Sequence, residues 1–335
     1  SFSYKAKEAF YVPLSSDENS REKVLTIFKP LLENEHIEKV GQNIKYDLHI
    51  LANYGITLKG KFFDTMIAHY LLEADMRHNM NVLAETYLNY SPTKIESIIG
   101  KGKSALNMRD IPATKVKDYA CEDADITWQL KENFKPKLKE QGLLDLFTNM
   151  EMPLVSVLAK MEREGINLDV KGLAIFSKEL EESVRQTQTE IFELAGMEFN
   201  IASPKQMGEV LFNHLKLDDK AKKTKTGQYS TSEDVLSKLK DKHEIIGKIL
   251  DFRSMQKLRS TYVDALPVLI NPKTKHIHTS FNQAGAATGR LSSNNPNLQN
   301  IPIRTEKGKE VRKAFIPRDE NHVLLAADYS QVELR

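Results

Sequence analysis

Residues 323–335 read VLLAADYSQVELR, the most informative stretch of this chain. Five apolar residues, 323–327, lead directly into Asp328, a pattern that predicts a buried strand with a carboxylate at its carboxyl end. Sheets usually present ligands at the carboxyl ends of their strands, which makes Asp328 a candidate metal ligand. The simpler alternative is a turn, because aspartate is also common where a strand ends and the chain reverses.

Upstream of this stretch the character of the sequence changes twice. The first part alternates strand-like and helix-like segments, which predicts a layered α/β arrangement. The predicted strands are 1–4, 9–14 and 38–40, and the predicted helices are 21–33, 46–54, 65–72 and 81–87. From about residue 271 a short β-type run, 277–281, leads into a connector rich in Gly, Ser, Asn and Pro at 285–302.

The middle part, from about residue 143, consists almost entirely of helical patterns. Gly165 is a predicted helix stop, and apolar residues then repeat at helical spacing over 173–194. Ser203 followed by Pro204 predicts a helix start, and a second start is expected at Thr231. The last helix is predicted at 242–262. Between the two helix starts lies KAKKTKT at 220–226, a basic tip or simply a solvated loop.

Composition narrows the class of protein. A chain of 335 residues predicts two or three compact units, and 28% charged residues is ordinary for a globular protein. The net charge of +2 excludes a uniformly basic nucleic-acid binder, so any such surface must come from local clusters. The single cysteine, the absence of a long apolar run and the absence of an export signal lead us to expect a cytoplasmic protein with no membrane segment.

The string DYSQVELR at 328–335 closely resembles motif A of family A DNA polymerases. The resemblance implies that Asp328 binds both catalytic metal ions. It also implies that Glu333 is the steric gate that excludes the 2′-hydroxyl of a ribonucleotide, the sugar group by which RNA and DNA precursors differ.

Two further segments, TGRLSS at 288–293 and NLQNIPIR at 297–304, resemble the palm of the same family. Arg290 is suited to the minor groove, whose acceptors are similar for all base pairs. Asn297, Gln299, Asn300 and Arg304 are expected to contact phosphates, sugars or groove edges. The alternative is a cluster of Asn- and Ser-rich turns.

In the helical part, Arg253 and Lys257 are four residues apart and share one helix face, with Ser260 and Thr261 a turn later. These positions resemble the helix with which the family's thumb holds the duplex backbone. A solvated charged face is the alternative.

The first part carries a second set of motifs. GQNIKYD at 41–47 has an N-x-x-x-D spacing, and YACED at 119–123 has a Y-x-x-x-D spacing. These resemble the second and third motifs of 3′–5′ exonucleases of the DEDD class with a tyrosine. The resemblance implies that Asp47 and Asp123 bind metal ions and that Tyr119 orients the attacking water.

The sequence departs from that family at the first exonuclease motif, since no D-x-E occurs before Ser15. Asp64, in FDTM, is interpreted as a helix N-cap instead. Both ends look cut, so we expect a fragment of a longer protein. The fingers helix and the second palm carboxylate motif would follow residue 335, and the isolated chain is expected to be inactive in both reactions.

The resulting expectation is an α/β, RNase H-like exonuclease domain with a mixed sheet, followed by a mainly α-helical thumb and an incomplete α+β palm. The predicted regions are 1–145, 146–270 and 271–335. The implied protein is a DNA-directed DNA polymerase with a proofreading exonuclease, which acts in replication and repair near the nucleoid. Mg²⁺ is the expected cofactor, primer–template DNA and deoxynucleoside triphosphates are the expected partners, and a monomer is the expected state. The alternatives are a free-standing 3′–5′ exonuclease and a non-catalytic DNA-binding module.

Overall fold

The computed structural model of the chain describes residues 1–303 and 305–329. These residues form two compact units. Unit 1 contains Ser1–Glu164 and Ser280–Asn294, and unit 2 contains Gly165–Thr279 and the described residues from Asn295 onward. The units do not follow the predicted boundaries, because 146–164 pack with unit 1; the division into three functional regions stays a prediction.

Unit 1 has the α/β character predicted for it. Its elements are strands β1 (Phe2–Lys5) and β2 (Glu8–Phe10), helix α1 (Glu18–Leu32), strand β3 (Lys39–Gly41), helix α2 (Ile44–Ala52), strand β4 (Phe62–Asp64), and helices α3 (Thr65–Leu72), α4 (Met80–Leu88), α5 (Glu96–Ile99), α6 (Ala113–Glu140), α7 (Leu144–Leu146) and α8 (Met152–Glu164). Strand β1 pairs antiparallel with β2, and β3 pairs parallel with β4. Each of these described sheets has two strands. The four predicted helices are confirmed as α1–α4.

Helix α6 organises the core of unit 1. Its buried residues Ile126, Leu130, Phe134 and Leu138 recur every four positions and therefore form one apolar stripe. This stripe packs among buried residues of α3, α4 and β4. The core thereby fixes the carboxyl end of β4 and the start of α3, where acidic side chains of the candidate site lie.

Unit 2 is mainly helical, as predicted. Its first elements are strand β5 (Asn167–Leu168) and helices α9 (Val170–Ala195), α10 (Pro204–Gly208), α11 (Glu233–Ser237), α12 (Glu244–Leu258) and α13 (Ala265–Val268). Apolar faces of α9 and α12 pack together and form much of the core.

Local signals account for several helix ends of unit 2. Gly165 has φ +67, and a side chain there would lie 2.6 Å from the carbonyl oxygen of Ile277, so the predicted stop is confirmed. The Ser203 hydroxyl accepts from the Gln206 N–H at 3.4 Å, with Pro204 in the first helical position. The second start lies one residue later than predicted, because Ser232 rather than Thr231 is the N-cap.

The chain then crosses back to unit 1. Strands β6 (Ser280–Asn282) and β7 (Ser292–Asn294) form an antiparallel hairpin in which Phe281 faces Ser293. Helix α14 (Glu306–Lys313) and strand β8 (Phe315–Ile316) return to unit 2, where β8 pairs with β5.

The predicted buried strand at 323–328 is wrong for the described structure. These residues have no regular secondary structure, and Val323 and Leu325 are 86% and 90% exposed. A strand requires a neighbouring strand to pair its N–H and C=O groups, and no described strand pairs with this segment. No described helix is long and apolar enough to cross a membrane.

Candidate active site

Asp47 lies in the first turn of helix α2. Strand β3 ends at Gly41, Asn43 adopts a left-handed conformation with φ 62, and α2 begins at Ile44. Burial raises the pKa of Asp47 to about 6, and the nearby charge of Asp64 acts in the same direction. The Asp47 side chain still reaches solvent, so its desolvation comes from surrounding protein atoms rather than from full enclosure. An acid in this setting binds a proton or another cation readily.

Asp64 holds the starts of two helices at once. Its carboxylate is 1% exposed and accepts from Met66 N–H at 2.9 Å and Ile67 N–H at 3.4 Å, so the predicted N-cap of α3 is confirmed. The same carboxylate accepts from the N–H groups of Asn43 at 3.1 Å and Ile44 at 2.8 Å, at the start of α2. Burial raises the pKa of Asp64, and these four N–H donors oppose the rise.

Tyr119 and Asp123 share one face of α6, as their spacing predicts. The Tyr119 hydroxyl lies near enough to the Asp123 carboxylate for each group to shift the pKa of the other. Burial, together with the neighbouring Asp123 charge, raises the pKa of Tyr119 to about 12. Burial also raises the pKa of Asp123 to about 6; the nearby Tyr119 hydroxyl opposes this rise, and the like charge of Glu122 adds to it. The pair therefore combines a protonated phenol with a carboxyl group whose ionised form is disfavoured.

Glu122 was missed by the sequence reasoning, although it lies between the two motif residues. One carboxylate oxygen accepts from the Tyr90 hydroxyl and the other from Thr93 N–H at 2.8 Å. Glu122 thus fixes the segment after α4 against α6, next to Asp123. Its position inside Y-x-x-x-D was the available signal, but its partners are about 30 residues away.

Ser1, just before β1, lies near both α2 and α6. Burial lowers the pKa of the Ser1 amino group. The nearby charges of Cys121 and Asp47 oppose this effect. Among residues 1–303 and 305–329, no three His, Cys, Asp or Glu side chains converge as a metal cluster. Asp47 with Asp64, and Tyr119 with Asp123, are the two pairs that the structure brings together.

The polymerase motif residues are only partly described. Asp328 lies in the exposed irregular segment, and Tyr329 beside it is 86% exposed. Glu333 and Arg304 lie outside the described residues.

The predicted thumb residues divide into two kinds. Lys257, Ser260 and Thr261 are exposed at the carboxyl end of α12. Arg253 is half-buried, and its guanidinium donates to the carbonyl oxygen of Thr231 and, at 3.1 Å, to the Thr231 hydroxyl. Arg253 thus ties α12 to the segment before α11, an internal role that its i, i+4 spacing did not indicate.

The predicted palm residues lie in exposed loops. Arg290 follows Gly289 in the loop between β6 and β7. In unit 2, the Asn297 side chain accepts from Gln299 N–H at 3.1 Å, and the Asn300 carbonyl oxygen accepts from the Tyr262 hydroxyl at 2.6 Å. These bonds order the loop backbone and leave the exposed side chain of Gln299 on its surface.

A buried ionic cluster lies beside Asp47 and was also missed. Glu162 on α8, 6% exposed, pairs with Lys45 and accepts a hydrogen bond from His49 Nε2 at 2.7 Å. Lys45 and His49 lie on α2, two residues on either side of Asp47. A separation of more than 110 residues hides this pairing from any local sequence pattern.

Comparison with known proteins identifies the two regions. Residues 170–335 match the family described as DNA polymerase family A, and residues 1–139 match the family described as 3'-5' exonuclease. The DNA polymerase I of Pseudomonas aeruginosa is 46% identical over 346 residues, covering 100% of this chain and 38% of that protein. The DNA polymerase I of Borreliella burgdorferi is 42% identical over 339 residues, covering 100% of this chain and 36% of that protein.

A solved structure is similar as well. The POL domain of Pol1 from M. smegmatis, in complex with DNA primer-template and dNTP, matches with a TM-score of 0.77 and 33% identity, covering 91% of this chain and 50% of that one. The chain thus spans 36–38% of the two relatives named above. Since both family matches fall on the motifs described here, this chain belongs to DNA polymerase family A and carries a 3′–5′ exonuclease region ahead of its polymerase region.

Proposed function

We propose that this chain contributes the exonuclease region, the helical thumb and the first part of the palm to a DNA-directed DNA polymerase I that extends primers and proofreads them. Its partners are then primer–template DNA and deoxynucleoside triphosphates. The M. smegmatis structure, bound to a DNA primer-template and dNTP, supports these partners. The bacterial relatives named DNA polymerase I support a role in replication and repair. The proposal also includes a monomer that acts in the cytoplasm near the nucleoid.

One observation carries the exonuclease part of the proposal. The pKa values of Asp47 and Asp123 are both raised to about 6 by burial, while each side chain keeps access to solvent or a polar neighbour. A desolvated carboxylate gains more from a bound cation than an ordinary surface carboxylate does. Carboxylate oxygens are also the donors that Mg²⁺ prefers. These residues therefore fit a divalent-cation site.

Mg²⁺, when bound, supplies positive charge that offsets the charge of the phosphodiester during its cleavage. The chain's own residues then orient the reacting groups. With its pKa raised to about 12, the Tyr119 hydroxyl stays protonated at neutral pH and acts as a hydrogen-bond donor, not as a base. Asp123 lies on the same face of α6 as Tyr119, and Glu122 holds the adjacent segment in place.

The polymerase part rests on the motif around Asp328. In this proposal Asp328 binds the metal ions of nucleotidyl transfer, and Glu333 excludes the ribose 2′-hydroxyl. Lys257, Ser260 and Thr261 belong to the DNA-facing thumb surface, and the half-buried Arg253 lies on the same helix and supports it. Arg290, Asn297, Gln299, Asn300 and Arg304 belong to the duplex-facing part of the palm.

Paired substitutions in the full-length protein test the two activities separately. We expect Asp328→Ala to lower primer extension by about 100-fold or more while 3′–5′ degradation of single strands continues. Asp123→Ala should lower the 3′–5′ degradation of single strands while primer extension continues. The two variants serve as controls for each other, since each must keep the activity that the other loses.

Primer extension that survives Asp328→Ala undiminished would overturn the polymerase assignment. Degradation that survives Asp123→Ala would overturn the exonuclease assignment alone. If the protein degraded single strands but never extended a primer, a free-standing exonuclease would replace the proposal.

A further inference from the structure

The hairpin that carries Arg290 packs against the exonuclease region. Residues 280–294, called the Arg290 hairpin below, consist of β6, a loop and β7. They fall within the segment that matches DNA polymerase family A, yet they belong to unit 1 with residues 1–164. Three sets of contacts hold them there.

The first contact lies at Phe281, in the centre of β6. The Phe281 N–H donates to the Glu162 carboxylate at 2.6 Å, and the Lys45 ammonium donates to the Phe281 carbonyl oxygen. Glu162 and Lys45 are themselves paired and nearly fully buried. One buried ion pair therefore satisfies both backbone groups of Phe281, the groups that a neighbouring strand would otherwise satisfy.

The second contact lies at the end of β6. The Gln283 side chain, 6% exposed, donates to the carbonyl oxygen of Glu151 at 3.1 Å and to its carboxylate at 2.8 Å. Glu151 immediately precedes α8, the helix that carries Glu162.

The third contact lies at the turn next to Arg290. The buried Tyr70 hydroxyl, on α3, donates to the Ala286 carbonyl oxygen at 2.8 Å and accepts from the Gly289 N–H at 3.1 Å. The same two backbone groups approach each other at 3.3 Å across the turn. Gly289 has φ +77, which glycine adopts without strain. Tyr70 thus bridges the turn one residue before Arg290.

We infer that Tyr70, in the exonuclease region, and Glu162, on α8 of unit 1, are positioning residues of the polymerase reaction, because they fix the Arg290 hairpin. The inference rests on the proposed function, in which Arg290 contacts the duplex. Glu162 has a second task, because it also holds Lys45 and His49 on either side of Asp47. Loss of Glu162 should therefore loosen both α2 and the hairpin, whereas loss of the Tyr70 hydroxyl should loosen the hairpin alone.

Hydrogen exchange on the purified chain tests the positioning without any activity. Tyr70→Phe removes one oxygen and keeps the buried ring. We expect exchange in the peptide containing Gly289 to become faster by about 3- to 10-fold, as for the loss of one hydrogen bond. Tyr87→Phe is the matched control, since its hydroxyl bonds His69 at 3.0 Å in the same unit. Unchanged exchange at 284–291 in Tyr70→Phe, or equal acceleration in Tyr87→Phe, would overturn the inference.

Glu162→Gln extends this test to the double role of the buried acid. We expect faster exchange in both 280–284 and 43–50, with Glu38→Gln as the control, since Glu38 pairs with Lys131 elsewhere in unit 1. Faster exchange in only one of the two segments would contradict the shared anchor. Tyr70→Phe remains the primary variant, because Glu162→Gln leaves the buried Lys45 without its charged partner.

Duplex binding separates the failure of this inference from the failure of the proposed function. Fluorescence anisotropy with a labelled primer–template should show affinity falling by about 2- to 5-fold for Tyr70→Phe, and the double variant with Arg290→Ala should lose less than the product of the two single losses. A fully multiplicative loss would overturn the inference. If Arg290→Ala itself changes nothing while Gly289 exchange still accelerates, the positioning stands and the DNA role proposed for Arg290 fails.

Discussion

Asp47 and Asp64 lie near the start of α2, and their carboxyl groups have different hydrogen-bonding environments. Asp64 receives four backbone N–H donors, whereas Asp47 has solvent on one side and a like charge nearby. Asp64 is therefore a structural residue whose charge is compensated. Asp47 has fewer stabilising partners, and its raised pKa is typical of a candidate functional residue.

The raised pKa of Asp47 predicts how stability depends on pH. The unfolded carboxyl ionises near 3.8 and the folded one near 6, so the folded state binds more protons between these values. Stability is then lost as the pH rises from about 4 to about 6, and the full cost persists above pH 6. We expect Asp47→Asn, in a buffer with EDTA, to raise the melting temperature at pH 7.5 by about 2 °C, or about 1 kcal/mol after allowance for solvent screening.

The same substitution should have almost no effect at pH 4, where Asp47 is largely protonated. Thermal denaturation followed by circular dichroism at the two pH values measures the difference. Asp118→Asn, at a side chain of α6 that is 87% exposed, controls for the loss of one negative charge. A stabilisation of equal size at pH 4 and pH 7.5 would show that the Asp47 charge is not the cause.

Single-residue roles were predictable where the signal is local. The N-cap at Asp64 and the stop at Gly165 follow from the few residues around each. The second half of the Asp64 role, at Asn43 and Ile44, depends on the parallel pairing of β3 with β4, which brings together residues about 20 positions apart.

At the level of elements, the helices were predictable and the last strand was not. Buried apolar residues recur every four positions along α6, and such periodicity identifies a helix without knowledge of its neighbours. A short apolar run such as 323–327 carries no information about its partner strand. Whether it is buried depends on pairing, and none of the described strands provides it.

Helix α12 offers a test of the predicted thumb surface. Lys257 is exposed near its carboxyl end, while Lys248, about two and a half turns earlier, is paired with Glu190 at 2.7 Å. If Lys257 contacts a phosphate, Lys257→Ala should reduce the salt dependence of duplex binding, the slope of log Kobs against log salt concentration, by about 1.

Lys248→Ala is the matched control on the same helix, because its charge is already compensated within the protein. Affinities measured between about 50 and 200 mM salt give the slopes, the range over which phosphate contacts show most clearly. Equal slopes for Lys257→Ala and the unmodified chain would remove Lys257 from the DNA surface.

At the scale of the molecule, each of the two hydrophobic cores lies inside one unit. A chain built in this way need not unfold in one step. We expect two thermal transitions in calorimetry. Asp64→Ala, which removes the caps of α2 and α3, should destabilise unit 1 by about 1 to 4 kcal/mol and shift one transition only.

Ile249→Ala, in the buried face of α12, is the counterpart in unit 2 and should shift the other transition. Hydrogen exchange assigns each transition to its residues. A single transition that moves as a whole with either substitution would mean that the two cores unfold together.

The broad organisation was predictable from changes in sequence character, since alternating and purely helical patterns reflect different packing. The return of residues 280–294 to unit 1 was not, because Glu162 meets Phe281 across 119 positions and Tyr70 meets Gly289 across 219. Contacts between residues so far apart cannot be predicted from the local pattern of one sequence. The active-site motifs could be found, but not the residues that hold them in place.

The return of the Arg290 hairpin also determines how the protein can be divided. A gene cut after the codon for Glu164 would give a second product that carries the hairpin without Tyr70, Glu151 and Glu162. The N–H and C=O of Phe281 and the Gln283 amide would then lose their partners. Residues 1–164 could likewise be exchanged between relatives only together with a hairpin that makes the same contacts. The exonuclease and polymerase parts of this chain are therefore continuous in sequence but not separable modules.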